Sequence, residues 1–389
     1  MSTINDSAIV MAGIPETNKS LYHRIRFLVG DPAALIELPK NTGGHTSTLI
    51  LRDIEMARAR QRARVDQVAC PAAFTPADGL SGDRETATAQ ATAELLRRNE
   101  IRHVISDRTL PLIYAHEINR AGIAIDCDPE MGILQRRAKD SQEIEWLHQA
   151  QQATEGAMEM ACRLVAAAKA DGDGVLQHDG GTLTAERLRA EIDVWLLERG
   201  FSNPTSIVAC GADCADCHNH GSGPLRTEQS VIIDIFPRDR RTFYNGDCTR
   251  TVVNGDISDE LTQMLAAVVE AKAAAISATR TGVTGEAVHR ATCAVVEHHG
   301  FKMGLPPDDA ADTYTGMTHG TGHGIGLDVH EPPLLDFGGP ELIVGDALTI
   351  EPGIYSRAYG GVRVEDLVIV TNEGCDNLNR LPEILDWRQ

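Results

Sequence analysis

The alternation of apolar and polar positions divides this 389-residue chain into two regions of different character. In the first, LILRDIE (49–55), HVISD (103–107) and AIDCD (124–128) are short apolar runs that read as buried strands. Between them TATAQATAELLRRN (86–99) has helical spacing, so this part predicts a small α/β unit. Near Lys139 the pattern changes. Residues 141–170 form one long helical run, for which Ser141 is a candidate N-cap, and 184–200 form a second helix stopped by Gly200. Strand-like SIVAC (206–210) and SVIIDIF (230–236) follow. The order then repeats: helices over 259–280 and 285–300, then LTIEPGIY (348–355) and VRVEDLVIV (362–370). Two helix–helix–strand halves predict an α+β domain over 139–389, behind a smaller α/β domain over 1–138.

Composition narrows the class. A net charge of −20 disfavours a nucleic acid or an anionic membrane surface as partner. The N-terminal stretch is read as lacking the charged and apolar regions of a secretory leader, and no apolar run is expected to reach the length of a membrane span. Nine scattered cysteines suit reduced thiols. A cytoplasmic protein is the expectation.

The chemistry gathers late in the chain. Asp234 ends the run Val-Ile-Ile, Asp247 opens DCTRT, and His323 is central in HGTGHGIGLDVHE. Glu351 lies in TIEPGIY and Glu365 in GVRVED. Carboxylates set in apolar strands are costly unless they share a charge partner. Two divalent cations would cancel four carboxylates, and hard oxygen donors with one imidazole read as a catalytic two-metal site. Strand parity puts Arg363 on the face of Glu365, to steady the site, meet a substrate carboxylate or pair a neighbouring acid; Asp366 reads as peripheral. His319 and His323 share a side of an extended segment, while His330 must arrive from another direction. Cys210, Cys214, Cys217, His218 and His220 offer a rival structural zinc site, with His218 pointing into an active site as the favoured alternative. Cys248 reads as small apolar packing.

These motifs resemble the proline-peptidase branch of the pita-bread metallopeptidases (family M24), which holds aminopeptidase P and prolidase. The resemblance spans 139–389 in motif and 1–138 only in size and character, as a creatinase-like N-terminal domain. It implies that Asp234, Asp247, His323, Glu351 and Glu365 bind two metal ions, manganese first, with cobalt, zinc or iron as alternatives. It implies that His218 and His330 contact the substrate carbonyl, that His319 lines the substrate pocket, and that Arg363 supports substrate or the bridging ligands. Glu351 would pass a proton from a metal-bridging hydroxide to the leaving nitrogen. The implied activity is cleavage of an N-terminal residue from a following proline, by a homodimer. The alternative is a metal-retaining relative acting on a small zwitterion by C–N hydrolysis or C–S lysis. One feature departs from the family: Asp234 and Asp247 are 13 positions apart, two more than usual, with DIFPRDRRTFYNGD as a longer hairpin turn and Asp239 as a second candidate ligand.

Overall fold

A computed structural model describes residues 7–40 and 42–388; the first six residues of the stretch examined for a leader lie outside it. The chain forms two compact units, Met1–Arg136 and Arg137–Gln389.

The first unit is built on a six-stranded sheet, in the order Gln67–Ala69, His45–Ile50, Ala33–Pro39, Ala8–Gly13, His103–Ser106 and Ala124–Cys127. Ala8–Gly13 pairs antiparallel with Ala33–Pro39 and parallel with His103–Ser106. The Arg84–Arg98 helix, capped by the Asp83 carboxylate, lays its alanines and leucines against one face. Two sequence expectations change. The strand expected over 49–55 stops at Ile50, because Asp53–Glu55 turns into a 3-10 helix. AIDCD is a strand but an edge one and mostly exposed, so its apolar residues do not mark a buried position. AIVMAG (8–13) and AALIELP (33–39) are the central strands.

In the second unit each helix pair covers its own sheet. Ser141–Ala167 and Ala185–Glu198 pack on the antiparallel strands Ser206–Cys210, Ser230–Ile235 and Cys248–Val253. The N-cap of the long helix is Asp140, not Ser141: its carboxylate accepts from Glu143 N–H at 2.9 Å and Glu143 reciprocates at Asp140 N–H. In the second half, Asp259–Ala278 and Gly285–His298 face a sheet in which Gly322–Gly324 pairs with Glu331–Leu335 and Ala347–Ile350, and the latter with Asp366–Val370.

Both runs expected as single strands here are broken. LTIEPGIY splits into Ala347–Ile350 and Gly353–Ser356, and VRVEDLVIV into Gly360–Arg363 and Asp366–Val370, with the halves in different sheets. Glu351 and Glu365 sit at those two breaks, where the chain crosses between sheets. Contrary to expectation, one helix, Asp259–Ala278, is long and apolar enough to cross a membrane by length and composition alone. Leu261, Met264, Ala267 and Val268 on its inner face join a core with Ile354 and Val362.

Candidate active site

A cavity of about 470 Å³ opens in the second unit and is lined by all nine residues singled out above: His218, Asp234, Asp247, His319, His323, His330, Glu351, Arg363 and Glu365. Asp234 and Asp247 come from neighbouring strands of one half. Asp234 is paired in register with Thr249, while Asp247 stands just before Cys248. The longer turn between them folds back on itself, with Arg238 bridged to Asn245 and Asp239 N–H donating to Tyr244 O at 3.0 Å. Asp239 is spent within that turn, its Oδ1 accepting from Arg241 and Thr242 N–H, and it is not a ligand candidate. Glu351 is set by its N–H donating to Thr321 O at 2.8 Å, and Glu365 by Thr249, whose hydroxyl donates to Oε2 at 2.7 Å.

Asp247, His323 and Glu365 are the tightest group: one ligand atom from each lies within 4.8 Å of the others. His323 Nε2 is 3.6 Å from Glu351 Oε1 and 3.8 Å from Asp247 Oδ2. Its Nδ1 is 3.1 Å from the Gly324 carbonyl, a contact that favours the proton on Nδ1 and leaves the Nε2 lone pair facing the carboxylates. Asp234 Oδ2 accepts from Arg363 Nη2 at 2.7 Å, while its Oδ1 is buried with no hydrogen-bond partner among the described residues.

The electrostatics are those of a site short of positive charge. Burial raises Asp247, and Glu365, Asp234 and Glu351 add to the rise. Glu365 is likewise raised well above the carboxylate range by burial, then by Glu351 and Asp234. Burial pushes Glu351 up to about 7, with Arg363 opposing. Asp234 is raised by burial in spite of Arg363. Burial and His330 lower His323 to about 4, so its imidazole is neutral and able to ligate. Four crowded carboxylates, one neutral imidazole and an orphaned carboxylate oxygen fit divalent cations and fit little else.

The supporting residues were invisible in the sequence. Gln151, fully buried on the long helix, brackets the Asp247 peptide: Oε1 accepts its N–H at 2.9 Å and Nε2 donates to its carbonyl at 2.6 Å. Arg363 donates to Tyr355 Oη at 3.1 Å and to the Cys217 carbonyl at 3.2 Å besides Asp234. His319 Nε2 lies 2.7 Å from the same Tyr355 hydroxyl, and burial, with Arg363, holds His319 down at about 3. His330 does arrive from another direction, at the turn before Glu331–Leu335, and its ring meets His323 edge-on at 4.3 Å.

The rival zinc site is not formed among the described residues, and one expectation is corrected. The cysteines do not gather: Cys214 Sγ donates to the Ala209 carbonyl at 3.2 Å in the core, and among the described residues only the Asp247 group converges as metal ligands do. Asp366 is not peripheral. It is 2% exposed and accepts from Arg250 Nη2 and Asn377 Nδ2, each at 2.8 Å, and from Lys272 Nζ. The break after Arg363 ends the strand alternation on which the peripheral reading rested.

An α+β unit of two helix-backed halves, with buried carboxylates and a neutral histidine between them, is a metal-dependent hydrolase scaffold. The chain matches the family model of metallopeptidase family M24 over residues 145–372, and it belongs to that family, with the pita-bread fold. A Mycobacterium tuberculosis protein named "Probable dipeptidase PepE" is 36% identical over 184 residues, covering 46% of this chain and 45% of that protein. The Xaa-Pro dipeptidase of Pyrococcus furiosus is 29% identical over 194 residues, covering 49% of this chain and 52% of that protein. The aligned part thus spans about half the length of these curated relatives. Among solved structures, X-Pro aminopeptidase from Thermotoga maritima matches with a TM-score of 0.78 at 22% identity, over 97% of both chains. Xaa-Pro dipeptidase from Bacillus anthracis matches with 0.79 at 23%, over 98% of this chain and 95% of the other.

Proposed function

We propose that the protein hydrolyses the bond between an N-terminal residue and a following proline, as a metallopeptidase of the aminopeptidase P or prolidase type. The reading is carried by one observation: the buried Asp234, Asp247 and Glu365, the half-buried Glu351 and His323 share a cavity short of positive charge, down to an orphaned oxygen on Asp234. Two divalent cations held by Asp234, Asp247, His323, Glu351 and Glu365 would supply Lewis acidity and acidify a water molecule to near neutrality. Manganese is the first candidate, and cobalt, zinc and iron suit the same donors.

The chain's own residues do the rest. Ile207, Phe236, Val329 and Leu334 give the cavity an apolar wall that suits a proline ring. His330 and His218, exposed at the cavity, donate to the substrate carbonyl oxygen as negative charge develops there. Glu351 takes up a proton and returns it to the leaving proline nitrogen. His319 and Tyr355 form a fixed polar wall, and Arg363 orients Asp234 by donating to its Oδ2. The unit over 1–138 serves as a creatinase-like N-terminal domain. Nine free cysteines support a reducing, cytoplasmic setting. Homodimer assembly rests on the resemblance alone.

The test is mass spectrometry of products from manganese- or cobalt-loaded protein given an Xaa-Pro dipeptide and an Xaa-Pro-Xaa peptide together. Cleavage of the longer peptide marks an aminopeptidase P type, and cleavage of the dipeptide alone a prolidase. A loaded protein that cuts neither refutes the proposal.

A further inference from the structure

His330 has no side-chain hydrogen-bond partner among the described residues; its ring rests only edge-on against His323. The backbone turn that carries it must therefore set its position, and that turn is held from outside the cavity. The next residue, Glu331, places Oε1 2.9 Å from Lys139 Nζ, with the two side chains 4% and 2% exposed. On the other side of the turn, the Gly326 carbonyl accepts from Asn245 twice, from N–H at 2.9 Å and from Nδ2 at 2.8 Å. The parts are close-fitted: a Cβ on Gly326 would lie 2.6 Å from Glu331 Oε1 and 3.0 Å from Lys139 Cε.

Lys139 is itself immobilised. Two residues before it, Arg137 makes a bidentate pair with the fully buried Asp346, at 2.8 and 2.7 Å. Its backbone packs on Gly345, where a Cβ would come within 2.8 Å of Lys139 N. Asn245 belongs to the lengthened turn between Asp234 and Asp247, so that turn has a use: it reaches the glycine-rich segment. Neither Lys139 nor Asn245 lines the cavity. A buried ion pair adds little to stability that apolar residues of the same size would not supply, so geometry is the better account of what this one does.

We propose that Lys139, acting through its ion pair with Glu331 and seconded by Asn245, is a positioning residue that fixes His330 over the cavity. The inference rests on the role given to His330 above. A donor displaced by about 1 Å loses on the order of 100-fold in rate.

The variant Lys139→Met/Glu331→Met replaces the pair with apolar chains of similar length. It is compared with Asn245→Ala, His330→Ala, and His330→Ala added to the double variant. Readouts are kcat and KM on an Xaa-Pro peptide, manganese affinity by calorimetry, and the urea midpoint. The expected result is a kcat at least about tenfold lower in the double variant, and lowered in Asn245→Ala, with KM, manganese affinity and urea midpoint near parent values. Adding His330→Ala should lower kcat no further than His330→Ala alone. Parent-like kcat in the double variant and Asn245→Ala, or losses that multiply with His330→Ala, overturns the inference while leaving the role of His330 intact. A fully active His330→Ala overturns both. If the double variant does not fold, the cycle between Asn245→Ala and His330→Ala decides by the same rule.

Discussion

Metal-free Glu351→Gln should be more stable than the metal-free parent at pH 8, and no more stable at pH 5. Burial pushes the Glu351 carboxyl from an ordinary 4.5 up to about 7. Between those values the folded protein keeps a proton that the unfolded chain has released, so folding stability falls as pH rises through the interval. Each pH unit costs about 1.4 kcal/mol, or about 3.4 kcal/mol over the whole interval. The side chain is 19% exposed, and water access reduces this to about 2–3 kcal/mol. Glutamine has the same shape and no titration, so its own burial cost does not change with pH. The assay is urea unfolding in EDTA at both pH values, followed by tryptophan fluorescence. All three tryptophans, Trp146, Trp195 and Trp387, lie in the second unit, so the signal reports that unit alone. The quantity that matters is the change in the parent–variant difference between pH 5 and pH 8. A difference that stays constant, or that turns against the variant as pH rises, refutes the account of a carboxylate held against its own charge. Saturating manganese should reverse the order at pH 8, because only the parent retains the full ligand set.

Other outcomes follow from the same geometry. Asp247→Ala should lose both manganese uptake, measured by calorimetry, and activity; an active variant that holds no metal would sink the ligand assignment. Manganese binding near pH 6 should release protons, since Asp247, Glu365 and Glu351 are all raised, and the apparent affinity should climb with pH. Calorimetry in two buffers of different ionisation enthalpy counts those protons, and zero release contradicts the raised values. Asp366→Ala should cost about 3–5 kcal/mol in urea, because Arg250 at 1% exposure loses its carboxylate and Lys272 at 2% is left with the partly exposed Glu383, and a loss under 1 kcal/mol would deny Asp366 that role.

Much of the site was legible because Asp234, Glu351 and Glu365 follow or interrupt apolar runs, where a solvated surface role is hard to sustain, and His323 stands in a glycine-rich histidine motif. The helix pairs were legible for the same reason, through apolar spacing over 14 to 27 residues. What escaped lay in tertiary contact. Gln151 is one polar residue in a long amphipathic helix, and nothing local separates it from its solvated neighbours. Thr249 and Tyr355 carry no charge to betray them. AIVMAG is too short and uniform for periodicity to separate a strand from a helix. The strand break between Arg363 and Asp366 had no marker either, neither glycine nor proline falling between them.

That break explains the most instructive pair in the chain. Glu365 and Asp366 are adjacent, both 2% exposed and both acidic, yet their surroundings are opposite. Burial alone would raise Asp366, but Arg250 and Lys272 overcome it and hold the carboxyl below its ordinary range. Glu365 is raised well above by burial and by Glu351 and Asp234, which Arg363 and the Thr249 hydroxyl do not offset. An acid saturated by fixed cations has no charge left to offer a ligand and works as a structural tie. An acid left short of cations inside the fold is a standing demand for one, and the protein tolerates that cost only where a cation is to be bound. Strand parity ranked the two by which face they point to. The better discriminator is whether each buried charge is already answered by the chain, and by that test Asp234, Asp247, Glu351 and Glu365 separate from Asp346, Asp366 and Glu331, each of which an arginine or lysine already meets. Asp234 stands between the groups, one oxygen held by Arg363 and the other unmet, as suits a ligand whose orientation is fixed before the metal arrives.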